Sequence, residues 1–254
     1  MPIGKKLYIA IVKNMFKNMR VAILYIYTIL SYLVLYPFTF VNVLIILLLN
    51  VFGLQKAVQG VLNFWAHGTF FIVGKSFRVE GRENLNRERK YILMANHASM
   101  FDIMGVMTIC PNVSWFGRAH LLKVPIFGKF LEVINYIPMK STDLRNAKHM
   151  IEQLISKTEN QTVAIFPEGT RTANGEMSNF RRGFLHVLKA SELDILPVSL
   201  IGFFEFKPKS RFYFDYSAKI SAKIHAPIPY SELKNLNDKE IITMVQSKIE
   251  SAIA

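Results

Sequence analysis

The sequence has a single cysteine, Cys110, so no disulfide can form within the chain, and a reducing cytoplasm is the implied setting. Its six histidines show no metal-ligand spacing, so neither a metal nor an organic cofactor is expected. No Gly-x-Ser-x-Gly elbow occurs, which speaks against a covalent serine intermediate. Internal repeats and low-complexity linkers are missing. So are zinc patterns, an aromatic RNP run and a basic zipper, so the excess of 31 basic over 18 acidic residues does not point to nucleic acid. From Lys5 to Arg20 there is no acid, and from Val21 to Gln55 there is no charge of either sign.

Those two absences describe a membrane element. Between Lys5 and Arg20, Leu7, Tyr8, Ile11, Val12, Met15, Phe16 and Met19 follow a helical rhythm, with Lys13, Lys17 and Arg20 on the other face. This pattern predicts a basic amphipathic helix in an anionic lipid interface. The uncharged stretch that follows is longer than the about 20 residues one straight span needs. Pro37 divides it into pieces of roughly 16 to 18 residues, each about 25 Å long as a helix. Basic residues lie before it and again after it, at Lys56, Lys75 and Arg78, which favours a hairpin or re-entrant pair with both ends on the cytoplasmic side. A cleaved signal peptide is not expected, because the run is too long and lacks a small-residue cleavage site. Gly60 to Phe77, with Phe64, Trp65, Phe70 and Phe71, reads as a further interfacial segment. Residues 1–75 are thus expected to form the membrane part and residues 76–254 a catalytic domain at the cytoplasmic face of the cell membrane.

Beyond Ser76, strand-like and helix-like runs alternate. This predicts an α/β fold with a largely parallel, mixed sheet flanked by helices. Expected strands are 77–80, 91–95, 113–117, 134–139, 162–166, 195–201 and 211–216. The clearest helix is expected at Asp143 to Lys157.

Two polar clusters follow apolar runs. Asn96-His97-Ala98-Ser99-Met100-Phe101-Asp102 comes after Tyr91 to Met94, and Phe166-Pro167-Glu168-Gly169-Thr170-Arg171 comes after Val163 to Ile165. Positions five apart lie roughly 140° apart around a helix, so His97 and Asp102 cannot share a helical face. They can meet if His97 sits in the turn after a strand and Asp102 in the first turn of the next helix. Ser99 and Asp102 have the form of a capping box, with Ser99 as the N-cap. A carboxylate bonded to imidazole fixes its tautomer and supports the imidazolium. In the second cluster, Gly169 permits close backbone approach and Arg171 offers a planar fork that matches phosphate oxygens. A base beside an anion clamp suits deprotonation of an alcohol on a phosphorylated substrate.

Both clusters resemble signature blocks of the glycerolipid acyltransferase family, whose best-known members are the 1-acyl-sn-glycerol-3-phosphate acyltransferases. The resemblance runs from about Val79 to about Pro229. Gly81-Arg82-Glu83-Asn84-Leu85 resembles the lead-in to the first block, and Leu121 to Gly128 the second. Phe180-Arg181-Arg182-Gly183-Phe184 resembles the tail of the third block and Ile195 to Ser199 the fourth. In the second block the family has a Lys and an acid where this chain has Arg118 and His120, and a Gly and an Arg where it has Asn135 and Lys140.

The resemblance implies acyl transfer from a thioester, acyl-CoA or acyl-acyl carrier protein, to the 2-hydroxyl of lysophosphatidic acid. His97 would be the base and Asp102 its orienting group. Glu168 would position the glycerol or a basic neighbour. Gly169, Thr170 and Arg171 would cradle the phosphate with Arg181 or Lys140, and Arg118 or backbone N–H groups would hold the oxyanion. Four alternatives stay open: Ser99 as a nucleophile, a sister enzyme using glycerol 3-phosphate or another lysophospholipid, a non-catalytic lipid-phosphate-binding protein, and a metal hydrolase.

Overall fold

A computed structural model describes residues 3–139 and 161–253. The expected helix 143–157 and Lys140 lie outside the described residues. The chain opens with α1 (Ile3–Val51), a 49-residue helix roughly 73 Å long. The break expected at Pro37 is not there, and α1 runs on through it. Proline removes one ladder bond, but packing on both sides of it holds the helix together. The Phe38 ring lies so close to Gly68 that a Cβ there would meet it at 2.5 Å. Further back, Thr28 Oγ1 accepts the Phe214 N–H and Ser31 hydrogen-bonds Tyr216.

The reversal comes instead at Gly53, whose φ is +67°. Gly53 N–H donates to Asn50 O and Leu54 N–H to Leu49 O, the paired bonds of a glycine C-cap. The chain then returns along α1 as α2 (Gln55–Ile72). The expected pair of helices within Val21–Gln55 therefore does not form; the hairpin that exists pairs α1 with α2, the segment expected to be interfacial. Trp65, expected at an interface, is buried; its Nε1–H donates to Thr39 Oγ1 at 3.2 Å. Phe64 and Phe71 do face outward.

The hairpin covers one face of a seven-stranded sheet. Its strands are β1 (Phe77–Glu80), β2 (Ile92–Ala95), β3 (Val113–Arg118), β4 (Ile137–Met139), β5 (Thr162–Ile165), β6 (Ile195–Ile201) and β7 (Ile220–Ile224), in spatial order β1-β7-β6-β2-β5-β3-β4. β7 runs antiparallel to β6 and the other described pairs are parallel, so the expected mixed, largely parallel sheet is what forms. Central strands β2 and β5 are buried at every position, as strands covered on both faces must be. Leu93 and Ala95 face the core under the hairpin, together with α3 (Asp102–Ile109) and α4 (Phe127–Val133). Ile92 and Met94 face the opposite core, under α5 (Gly183–Ser191) and α8 (Asp238–Glu250). Two short helices, α6 (Phe203–Phe206) and α7 (Tyr230–Leu233), are also among the described residues.

Two strand expectations need correction. Residues 211–216 are not a strand: Phe212 stacks on Tyr25 of α1 and the Phe214 amide is taken by Thr28, so the segment follows the hairpin and not the sheet. The strand of that region is β7, a little further on. The segment 134–139 starts late, because Ile134 and Asn135 end α4. Asn135 has φ +54°, with its N–H on Glu132 O and the Tyr136 N–H on Leu131 O. The family's glycine is thus replaced by the side chain that best tolerates a left-handed C-cap.

Candidate active site

The register Met94↔Ile165 puts the carboxyl ends of β2 and β5 side by side, so the two polar clusters leave the sheet together. This is the edge where sites form in open parallel sheets. β3 also ends there, delivering Arg118.

His97 Nδ1 lies 2.7 Å from Asp102 Oδ2, the geometry that the five-residue spacing permits only across a turn. Asp102 Oδ2 also accepts the N–H groups of Ala98 (2.6 Å) and Ser99 (2.7 Å). Asp102 is fully buried. Burial pushes its carboxyl above the ordinary value, while the imidazole and the two amides pull the other way. Three donors converging on one oxygen favour the carboxylate. Asp102 Oδ1 has no hydrogen-bond partner among the described residues. With Nδ1 donating to the carboxylate, Nε2 is the acceptor nitrogen of the ring. The imidazole lies flat on Phe166, with ring centroids 4.1 Å apart and planes 9° apart.

Only half of the expected capping box forms. Asp102 accepts the Ser99 N–H, but the Ser99 hydroxyl donates to Lys207 O at 2.7 Å instead of accepting the Asp102 amide. Ser99 is fully buried and its hydroxyl proton is given to Lys207 O and not to His97, which argues against it as a nucleophile. Asn96 pins the same turn to β6: its Nδ2 donates to Leu200 O and its Oδ1 accepts the Leu200 N–H.

The Glu168 carboxylate is engaged by backbone amides. It is 2% exposed, with Oε1 accepting the His97 N–H (2.6 Å) and Oε2 the Ser178 N–H (2.8 Å). Burial pushes its carboxyl up, against the pull of those amides. Its work is to tie the two clusters together. Thr172 adds a second tie, N–H to His97 O at 2.8 Å.

Arg118, Gly169, Thr170, Arg171 and Arg181 line a common opening with His97. Arg118 Nη2 donates to Gly169 O and Arg181 Nε to Glu168 O, which orients both guanidiniums and leaves their other N–H groups for an anion. Gly169 has φ +70°, and a Cβ there would come within 2.9 Å of Arg181. The opening and the apolar recess continuous with it form one cavity of about 540 Å³, walled on its apolar side by Met104, Met107, Trp115, Phe130 and Tyr136, with Thr39, Val43 and Trp65 of the hairpin. Of these wall residues the sequence marked Trp65 for an interface and none for a cavity, since each looks like an ordinary core or membrane residue. Among the described residues no cluster of three metal-ligating side chains occurs.

Residues 76–201, which hold both clusters, match the family model described as Acyltransferase. The chain carries an acyltransferase-family domain. Its relatives include the 1-acyl-sn-glycerol-3-phosphate acyltransferase of Cocos nucifera, 29% identical over 63% of this chain and 53% of that protein. The alpha 1-acyl-sn-glycerol-3-phosphate acyltransferase of Homo sapiens is 26% identical over 63% of this chain and 57% of that one. The chain thus spans little more than half the length of these curated relatives. The crystal structure of the 1-acyl-sn-glycerophosphate acyltransferase of Thermotoga maritima superposes with a TM-score of 0.76, at 24% identity, over 90% of this chain and 95% of that one. The acyltransferase domain and its fold are those that the sequence clusters implied.

Proposed function

We propose that the protein transfers a fatty acyl group from a thioester to the 2-hydroxyl of 1-acylglycerol 3-phosphate, producing phosphatidic acid. The observation that carries this reading is the oriented His97–Asp102 pair where an arginine rim meets an apolar cavity. Nε2 of His97 takes the hydroxyl proton as the oxygen attacks the thioester carbonyl. The imidazolium is supported by Asp102; as the carbon–sulfur bond breaks, the imidazolium gives that proton to the departing thiolate and His97 returns to the neutral base. Arg118, Arg171 and Arg181 hold the phosphate and the developing oxyanion, and the cavity takes an acyl chain out of water. The test is product analysis with purified protein, offering glycerol 3-phosphate and several lyso-acceptors with acyl-CoA and acyl-acyl carrier protein. Phosphatidic acid from lysophosphatidic acid is expected; acylation of glycerol 3-phosphate alone, or of no acceptor, would refute the proposal.

Arg171→Ala is expected to raise the apparent KM for the phosphorylated acceptor by about ten- to a hundredfold, from loss of a charge-assisted contact. The thioester KM should hardly change. If steady-state kinetics moved only the donor KM, the phosphate would have been assigned to the wrong rim.

We also propose that the hairpin sits in the cell membrane as a re-entrant element, with the acyltransferase domain on the cytoplasmic face. The stretch Val12–Val51 is long and apolar enough for a span, and Leu33, Tyr36, Leu48 and Val51 are among its outward-facing residues. Arg20, within α1, and Lys75, just after α2, reach the same loop: Arg20 lies 3.9 Å from the Asp215 carboxylate, and Lys75 donates to the carbonyls of Asp215, Tyr216 and Ala218. Single cysteines replacing Lys17 and Glu83, on a Cys110→Ser background, should both resist an impermeant reagent added to intact cells. Labelling of one alone would establish a single crossing.

A further inference from the structure

At the mouth of the cavity, the segment from Leu121 to Gly128 holds apolar side chains out in solvent. Val124 is 44% exposed, Ile126 48% and Phe127 38%. This is not a slack loop. Val124 N–H donates to Leu121 O, Gly128 N–H to Val124 O at 2.7 Å, and Phe127 N–H to Pro125 O at 2.6 Å. The last bond closes a γ-turn on Ile126, at φ 63° and ψ −54°. That is the strained hand of the γ-turn, and a β-branched residue is an outlier in it. Gly128 seats the base of the turn against the backbone, since a Cβ there would meet Leu122 O at 2.1 Å. Such strain persists only where the surrounding structure imposes it, and it gathers at functional sites. Here the strained residue adds little to the core, because its side chain points outward.

The surroundings identify what the tip meets. Arg118, His120, Lys123 and Lys129 are all exposed around it. Between Arg118 and Met139 the one acid is Glu132, which is paired with Lys129 at 3.0 Å. An apolar tip inside a basic collar matches an anionic bilayer, where apolar groups enter the acyl boundary and cations meet headgroups. The tip also stands beside the hairpin: α4, which begins at Phe127, sets Phe130 edge-on against Trp65 with ring centroids 5.5 Å apart. Leu121 and Phe127 line the cavity themselves, so whatever holds the tip also holds the opening.

We propose that Val124, Ile126 and Phe127 form a second, monotopic contact with an anionic lipid surface, separate from the hairpin, which seats the cavity mouth at the depth of the lipid ester groups. The contact does not depend on the proposed acylation; its value for catalysis does. The test uses the full chain with Cys110→Ser and one cysteine, Val124→Cys or Ile126→Cys, carrying an environment-sensitive fluorophore. It is reconstituted in vesicles of phosphatidylcholine and phosphatidylglycerol. Emission should shift to the blue, nitroxides near the ester end of the acyl chains should quench it, and aqueous iodide should not. The same label at Lys234→Cys, beneath the opposite face of the sheet, should stay open to iodide. A label at Val124 as iodide-accessible as one at Lys234 would overturn the proposal, as would shielding that appears only when an acidic carrier protein is added. In a second arm, Val124→Asp should lose about tenfold in activity on acceptor held in vesicles, and stay within about twofold on acceptor dispersed in detergent. Equal activity in both settings would refute the role at the mouth. A protein inactive on every acceptor would refute the acylation and leave the fluorescence result standing.

Discussion

Replacing His97 with alanine is expected to lower turnover by about 10² to 10⁴-fold, the usual contribution of a positioned general base. The loss should fall on kcat, with the acceptor KM close to normal, because the arginine rim stays intact. Alanine would also strand the buried Asp102 without its imidazole partner, so His97→Gln is the companion variant: its amide can still donate to the Asp102 carboxylate but cannot serve as a base. Thermal unfolding separates a damaged fold from damaged chemistry. Near-normal turnover by either variant, in an assay of purified protein, would eliminate the proposed mechanism.

Asp102→Asn should cost about 10² to 10⁴-fold in kcat, comparable to the effect of neutralising the carboxylate behind a catalytic imidazole. The particular geometry makes the variant informative. One oxygen accepts all three donors, from His97, Ala98 and Ser99, so an asparagine oxygen in that place can keep the turn and the imidazole where they are. What is lost is the negative charge that supports the imidazolium. The other oxygen has no partner among the described residues, and an amide nitrogen there would bury donors without an acceptor. The variant should therefore be folded, modestly less stable and nearly inactive. Retained turnover with lost stability would make Asp102 a purely structural residue.

The edge of the sheet that carries the site was legible from two facts: each cluster follows an apolar run, and parallel strands end on a common side. The His97–Asp102 contact was legible too, from a spacing incompatible with one helical face. Glu168 was misread. A carboxylate next to a glycine and an arginine looks like a ligand for substrate, and only the packing shows that two backbone amides occupy it. The hairpin was misplaced: both arms were expected within Val21–Gln55, but α1 runs unbroken through Pro37 to Val51, and the returning arm is α2, which the sequence marked only as an interfacial segment. Pro37 is the stronger breaker by propensity, but loss of one bond is tolerated in a packed helix, whereas the left-handed conformation of Gly53 ends one outright. Asn135 explains itself by the same conformational rule, which a sequence comparison showed only as a departure.

By itself, the sequence determined the long uncharged apolar stretch near the N-terminus, the parallel α/β domain, the acyltransferase blocks and the identity of the His97–Asp102 pair. These are written in periodicity, charge and short spacings, and all act between residues near each other in the chain. Tertiary structure alone decided that Thr39, Val43 and Trp65 line one cavity with Trp115 and Phe130, that the Ser99 hydroxyl is given to Lys207 O, and that Ile126 is held outward in a strained turn. Apolar side chains carry no mark of which partner they will meet. Which of them wall a cavity, fill a core or face lipid depends on how the elements pack, and burial is non-directional until that packing exists.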